Sequence, residues 1–367
     1  YMTGDIKGAW LSDTDTTNAV STDLLGGIGN FTDVNAWTVS SGWSLSSNIA
    51  TGSGVTNYLL PASNGILTAG KEYAVTVTQS GYTSGALYLY MGTGAPASGN
   101  HFIALPSAVG TYTFILNAYN SNFGIYGAGY TGVIDNVTVS LADADRSINA
   151  NGLQVNGTIT KTAVATGADL VAYSGFSASN YLEQPYNADL DFGTGDFSVM
   201  GWTTLSVLGG TKAIIGVGDL SGSNGGWLLG YQATGIFRVW EAATTSHSIN
   251  LISSTSIAPL NVWTHVCFSR TNGVMKISVN GVSESVVSDA RTMTHTNAVL
   301  NIGISDNGAY PNDVGSLALW RISATAPTAA QILEIYNAEK PLFQENAKAT
   351  LNGTSDAVQC LAYDDST

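Results

Sequence analysis

The chain has 367 residues, of which 44% are hydrophobic and only 10% are charged, and 42 are glycine. A typical globular protein has about a quarter of its residues charged, so the polar surface here must come from Gly, Thr, Ser and Asn, as is usual in all-β domains. The 26 acidic residues outnumber the 12 basic ones and give a net charge of −14, which repels phosphate backbones and excludes nucleic acid as an expected partner.

Three features concern the chain as a whole. No apolar run approaches the ~20 residues of a membrane-spanning helix, so we expect no membrane insertion. Cys267 and Cys360 are too few for a disulfide framework, and we expect no disulfide. The chain opens at Tyr1 and ends on a turn-like sequence with no following strand, which predicts that it is part of a longer protein.

The two tails read as strands. Residues 4–11 and 357–363 each form a short apolar segment. We predict that the tails, 1–23 and 344–367, belong to a flanking β domain into which the modules between them are inserted.

Residues 24–141 are predicted to form a first β-sandwich. Apolar and polar residues alternate in segments 73–77, 86–91, 111–116 and 133–139, and no helical periodicity is present. Residues 142–173 contain Asn151-Gly152 and Asn156-Gly157, which favour tight turns, so this segment is predicted to be a hairpin-like linker.

Residues 174–343 are predicted to form a second sandwich with one helix. Its predicted strands are 197–205, 213–217, 227–231, 236–241, 263–270, 274–279 and 299–303, a number typical of a jelly roll. Thr328 and Gln331 form a capping-box pattern before an apolar stripe, and Pro341 ends it, so a helix is predicted over 328–340. The fold class is therefore all-β: two consecutive β-sandwich jelly rolls with one short C-terminal helix and strand-like tails.

The first sandwich resembles a known family. Segments 29–31, 36–39, 67–73, 110–114 and 132–137 resemble the carbohydrate-binding-module-like, galactose-binding-like jelly roll that accompanies polysaccharide-active enzymes and phage tail proteins. That resemblance implies a structural calcium ion held by Asp135 with the backbone around Asn30. The family's acidic residue beside the opening Phe is replaced here by Asn30 and Thr32, so a purely hydrogen-bonding role for Asp135 stays open.

The second sandwich resembles another family. Residues 188–202 (ADLDFGTGDFSVMGW), with 263–266, 279–281 and 300–303, resemble the laminin-G-like, concanavalin A-like lectin fold. An acidic pair that is common before the helix in relatives is Ala318-Leu319 here, which removes a carboxylate from any calcium-dependent glycan site. The loop residues Asp306-Asn307 and Asn312-Asp313 remain as a substitute to be considered.

No catalytic constellation is recognisable, and we predict that the chain is not an enzyme. Glycosidases on this fold need two carboxylates held together, whereas Glu241 and Glu284 are isolated and Glu334 and Glu339 lie on the predicted polar side of the helix. His265 and Cys267 fall on one strand face, where a packed histidine and a buried thiol are the ordinary outcome.

Candidate carbohydrate contacts are aromatic, because sugars present apolar C–H faces that lie against rings. Tyr88 and Tyr90 share one strand face and are the first choice, with packing against another surface as the alternative. Further candidates are the tyrosines of glycine-rich loops and the aromatics of the second sandwich: Tyr82, Tyr126, Tyr130, Trp227, Tyr231 and Trp240.

Taken together, the two sandwiches resemble phage tail-fibre and other virion proteins with laminin-G-like modules. They imply a virion or extracellular protein that binds a cell-surface glycan or other virion proteins, as a homo-oligomer, for which a trimer is the commonest fibre arrangement. Two alternatives stay open: binding modules of a secreted bacterial polysaccharide-active enzyme, and a structural virion spacer.

Overall fold

The structure is a computed structural model that describes residues 4–46, 48–92, 101–218, 226–242, 249–289, 292–295, 297–305 and 308–348. These residues form β-strands and one α-helix, which confirms the all-β fold class. The chain divides into two compact units. We call residues 21–144 the first unit, and Tyr1–Val20 with Asp145–Thr367 the second unit.

The strands are numbered along the chain. The second unit contributes β1 (Ile6–Trp10) and β2 (Ala19–Val20) before the chain enters the first unit. The strands of the first unit are β3 (Trp37–Val39), β4 (Trp43–Ser46), β5 (Ile49–Val55), β6 (Tyr58–Pro61), β7 (Glu72–Tyr90), β8 (Phe102–Ala104), β9 (Gly110–Asn117) and β10 (Gly124–Leu141).

Two long antiparallel strands organise the first unit. β7 and β10 pair along their whole length, from Gly124 opposite Tyr90 to Leu141 opposite Tyr73. β10 also pairs with β5 and β6, and β7 with β8 and β9, and their inward residues build a single hydrophobic core. The segments predicted as separate strands at 73–77 and 86–91 are therefore parts of one continuous strand.

The remaining strands belong to the second unit. They are β11 (Gln154–Asn156), β12 (Thr158–Ala163), β13 (Val171–Ser174), β14 (Tyr181–Gln184), β15 (Phe197–Leu205), β16 (Lys212–Gly218), β17 (Gly226–Tyr231), β18 (Ile236–Ala242), β19 (Ile249–Ile257), β20 (Thr264–Thr271), β21 (Val274–Val279), β22 (Val282–Ser288), β23 (Leu300–Ile302) and β24 (Gly315–Ser323). One sheet runs β2-β12-β13-β24-β15-β20-β21-β22, with β1 beside β24, and the other runs β11-β14-β23-β16-β17-β18-β19. Inward side chains of both sheets share one core, which makes this unit a sandwich.

The N-terminal tail lies in the second unit rather than in a flanking domain. β1 pairs with β24, with Trp10 opposite Trp320. The buried carboxylate of Asp145 reinforces this pairing by accepting hydrogen bonds from the backbone N–H groups of Ala9, Ser147 and Asn151. The predicted linker also supplies strands to the second unit's sheets, because β12 pairs with both β2 and β13. The predicted C-terminal strand at 357–363 lies outside the described residues.

The predicted helix is confirmed as α1 (Ala329–Glu339), and Thr328 caps it through the expected reciprocal bonds with Gln331. Ile332 and Ile335 pack against Met200 and Cys267, which point away from the sandwich core. The helix therefore covers the outer face of β15 and β20. In the part of the chain that the structure describes, no helix has the length and apolar character needed to cross a membrane.

Candidate functional site

Five aromatic side chains gather on one outward face of the first unit. Tyr58 lies opposite Tyr126, and Tyr126 lies opposite Tyr88 on the other side of β10. Tyr90 lies opposite Phe102 on the neighbouring pair of strands, β7 and β8. Directly paired residues project from the same face of a sheet, so the five rings share one surface. We call Tyr58, Tyr88, Tyr90, Phe102 and Tyr126 the aromatic belt.

The rings of the belt contact one another across the strands. The ring centroids of Tyr58 and Tyr126 are 4.9 Å apart, and those of Tyr88 and Tyr126 are 6.4 Å apart. Phe102 lies 6.0 Å from Tyr88. All four of these residues are half-buried, so each stays partly exposed to solvent.

Tyr90 forms the floor of the belt. Its side chain is only 7% exposed, and the ring of Tyr58 stands edge-on to it at 5.6 Å. A Cβ atom at Gly124 would lie 2.3 Å from the Tyr90 hydroxyl, so the absence of a side chain there lets Tyr90 lie across the strand. Burial raises the pKa of Tyr90, and burial with the neighbouring Tyr126 raises that of Tyr58, so both phenols stay neutral.

The sequence predicted part of this surface. Tyr88, Tyr90 and Tyr126 were candidate contacts, although Tyr126 lies on strand β10 and not in a loop. Tyr58 and Phe102 were missed. Their strands, β6 and β8, are only a few residues long and show too little alternation to reveal a face.

Two other predicted tyrosines of the first unit are placed differently. Tyr130 is fully buried and its ring packs 5.8 Å from that of Trp43, so it has no surface to offer a ligand. Tyr82 packs against the same core, and its hydroxyl donates to the carbonyl oxygen of Gly85. Both residues lie on strands, and both face the interior.

The aromatics predicted for the second unit do not form a shared groove. Trp227 and Tyr231 point into the sandwich core and are completely buried, which corrects their assignment as carbohydrate contacts. Trp240 points outward from β18, opposite Leu228, and is half-buried. Asn301, which shares that outer face, and Leu228 are both buried, so the described part of this face has no open aromatic platform.

The residues predicted to hold calcium, Asp135 and the backbone around Asn30, lie in β10 and beside a hydrogen-bonded turn. Asp135 is an exposed residue of β10, and the amide oxygen of Asn30 already accepts hydrogen bonds from the backbone N–H and the hydroxyl of Thr32. Calcium needs six to eight oxygen ligands, several of them carboxylates. Within the described ranges, no group of three or more His, Cys, Asp or Glu side chains is arranged to hold a metal ion.

The substitute calcium loop of the second unit is only partly described. Asp306 and Asn307 lie outside the described residues. Asp313 pairs with Lys212, and Asn312 is buried. Calcium in either unit therefore stays a prediction from resemblance.

The pair formed by His265 and Cys267 is buried beneath α1 and unsuited to catalysis. Burial and the charge of Arg321 lower the pKa of His265 to about 3, so the ring cannot act as a base of useful strength near neutral pH. Burial raises the pKa of the Cys267 thiol to about 12, which keeps it protonated and inert.

Glu339 is a correction to the sequence-based view of the helix. It was expected to be solvated, yet it is buried and accepts a 2.7 Å hydrogen bond from the indole N–H of Trp202. Its other carboxylate oxygen lies 2.7 Å from a guanidinium nitrogen of Arg321. Glu284, a further isolated carboxylate, accepts hydrogen bonds from the backbone N–H groups of Thr255 and Ser256. Both carboxylates therefore hold structure together.

A comparison with known families agrees with the fold of the second unit. Residues 176–333 match the family model of the concanavalin A-like lectin/glucanases superfamily. The match covers less than half of the chain and starts after the first unit has ended. No curated protein matches the chain.

Solved structures with similar folds are distant in sequence. The binding domain of Paraclostridial Mosquitocidal Protein 1 is 14% identical over 54% of this chain, with a TM-score of 0.43, and the match spans about half, 49%, of that protein's length. Domain 4 of AbnA, a GH43 extracellular arabinanase from Geobacillus stearothermophilus in complex with arabinotriose, is 18% identical over 50% of this chain and 88% of its own, with a TM-score of 0.40. The sialyllactose-bound CBM40 of Ruminococcus gnavus IT-sialidase is 11% identical over 40% of this chain and 84% of its own, with a TM-score of 0.35.

Proposed function

We propose that the protein is a non-catalytic glycan-binding protein and that the aromatic belt is its carbohydrate-contacting surface. One observation carries this proposal. The solvent face of an antiparallel sheet is normally polar, whereas strands β6, β10, β7 and β8 present tyrosine and phenylalanine there.

The geometry of the belt suits a sugar. Rings set between 4.9 and 6.4 Å apart form a continuous apolar surface for C–H faces. The tyrosine hydroxyls supply donors and acceptors for sugar hydroxyls. A sugar that covers ~50 Å² of one ring would gain ~1.3 kcal/mol, which is roughly tenfold in Kd.

Tyr126 is the residue to change, because its ring contacts both Tyr58 and Tyr88. We expect Tyr126→Ala to weaken glycan binding about tenfold in Kd. The measurement is a glycan array followed by titration calorimetry on the best ligand. Tyr310→Ala is the matched control, since Tyr310 is an exposed tyrosine of the second unit.

The control should leave Kd unchanged, and circular dichroism should show that both variants are folded. Equal Kd values for the wild type and Tyr126→Ala would show that the belt does not contact the glycan. A complete lack of glycan binding would favour the alternative of a structural virion spacer.

We further propose that the glycan lies on a cell surface and that the protein is a tail-associated component of a phage virion, active as a homo-oligomer. The support is the resemblance of both sandwiches to modules of such proteins, together with the low share of charged residues. The alternative is a binding portion of a secreted polysaccharide-active enzyme. Sedimentation of the purified chain tests whether it forms an oligomer. Release of reducing sugars from bacterial polysaccharides tests the enzyme alternative.

A further inference from the structure

We propose that the aromatic belt takes neutral polysaccharide and discriminates against acidic polysaccharide. This inference rests on the proposed function and names the ligand class for the same surface. It comes from the charges of the first unit and from the residues that border the belt.

The first unit is almost free of charge. Between Asp33 and Asp135 the only charged residues are Lys71 and Glu72, and residues 21–144 contain no arginine. Glu72 begins β7, whereas Tyr88 and Tyr90 lie at its other end, so this pair of charges is remote from the belt along the strand. Glu72 is also buried.

Among the residues that the structure describes, the positions that border the belt on the same face are uncharged. Leu60 and the Tyr90 hydroxyl approach the open position at Gly124 from either side. Thr38 lies opposite Leu60, and Ala104 lies opposite Tyr88. Next along β7 and β10, Ala86 lies opposite Ala128. The described neighbours of the rings are therefore small, apolar or hydroxyl-bearing side chains.

An acidic sugar has no partner on such a surface. A carboxylate or sulfate group that leaves water needs a cation or several N–H donors, and arginine is the usual partner because of its bidentate fork. The net charge of −14 adds a long-range repulsion of anionic chains. Neutral sugars need no such cation and are not repelled, because their contacts are made by apolar faces and hydroxyls.

The extent of the belt favours a chain over a single sugar. Its rings lie on four neighbouring strands, β6, β10, β7 and β8. Three inter-strand steps of about 4.8 Å make a surface of ~14 Å, longer than one sugar ring. A polysaccharide that crosses the strands can therefore contact several rings at once.

The test compares neutral and acidic polysaccharides at low and high salt. The probes are a neutral β-glucan, a neutral galactomannan, polygalacturonate and heparin, each measured with the wild type and Tyr126→Ala. We expect a neutral probe to bind with Kd changing less than about twofold between the salt concentrations, because no ion pair is involved. We expect Tyr126→Ala to weaken that binding, and neither acidic probe to bind the wild type.

A variant with an added positive charge tests whether the lack of a cation is what excludes acidic polysaccharide. Ala104 is exposed beside Tyr88, and Ala104→Lys places a cation at the belt without replacing a ring. We expect this variant to keep neutral binding and to gain weak, salt-sensitive binding of polygalacturonate. A variant that gains no acidic binding would contradict the role assigned to charge.

The outcomes separate this inference from the proposed function. If an acidic probe binds and Tyr126→Ala abolishes that binding, the preference for neutral polysaccharide is wrong. Glycan binding at the belt would then still be supported. Binding of neither class, with the wild type self-associating through the belt and Tyr126→Ala dissociating it, would overturn both. Neutral, salt-insensitive binding that is lost in Tyr126→Ala supports both.

Discussion

Replacing His265 by phenylalanine tests how acid acts on the second unit. The His265 side chain on β20 is 0% exposed, and its ring meets that of Trp202 edge-on at 5.4 Å. Neither ring nitrogen has a hydrogen-bond partner among the residues that the structure describes. Burial and the charge of Arg321 lower the pKa of His265 to about 3, whereas an unfolded chain gives histidine a pKa of about 6.5.

The sign of the effect follows from this difference. The unfolded chain binds a proton that the folded chain rejects, so acid favours unfolding. The stability contributed by neutral His265 is complete above about pH 6.5 and is lost as the pH falls towards 3. Between pH 7 and pH 4.5 the expected loss in the free energy of unfolding is roughly 2 to 3 kcal/mol.

His265→Phe keeps a flat ring against Trp202 and removes the titration. We expect the variant to be at least as stable as the wild type at pH 7, because two unpartnered polar atoms disappear. At pH 4.5 its advantage in the free energy of unfolding should have grown by roughly 2 to 3 kcal/mol. The assay is urea unfolding at both pH values, followed by tryptophan fluorescence.

The matched control is His101→Phe in the first unit, where the ring is half-buried and its Nδ1 lies 3.0 Å from the carbonyl oxygen of Asn117. The control should not change the pH dependence of the transition that reports the second unit. If the wild type and His265→Phe lose the same free energy between the two pH values, His265 is not held neutral by its surroundings.

Two further predictions concern buried carboxylates of the second unit. Asp145→Ala leaves three backbone N–H groups near β1 without their acceptor, so we expect a loss of about 3 kcal/mol and faster hydrogen exchange in β1, and unchanged exchange there would contradict the anchoring role. Glu339→Leu leaves Arg321 buried without its partner, which should cost about 3 to 5 kcal/mol by urea unfolding. The double variant with Arg321→Met should recover most of it, and a single variant as stable as the wild type would contradict the account.

Secondary structure was largely readable from the sequence, because it depends on neighbours along the chain. The strand predicted at 197–205 coincides with β15, and the one at 274–279 coincides with β21. The capping pattern at Thr328 located the start of α1. Alternation and end-capping are local signals, so no knowledge of distant residues was needed.

The face on which a side chain lies was less readable. Tyr126 and Tyr130 both belong to β10 and are four residues apart, so simple alternation places them on one face. In the structure Tyr126 faces outward and Tyr130 faces the core. The pairing of β10 with β7 shifts register between Ala128 and Thr131, and Gly129 adopts a positive φ of 65° there. A bulge of this kind reverses the alternation of side chains between the two faces, and no local sequence pattern predicts it.

The sequence by itself determined an all-β chain with one capped helix and a surface poor in charge. Only the tertiary structure decided which aromatics meet: β6 and β8 bring Tyr58 and Phe102 to Tyr126 and Tyr88. It also decided that Glu339 is buried, because α1 lies over the outer face of a sheet. Strand pairing and helix docking join residues far apart in sequence, and the free energy of those contacts is not encoded in any short segment.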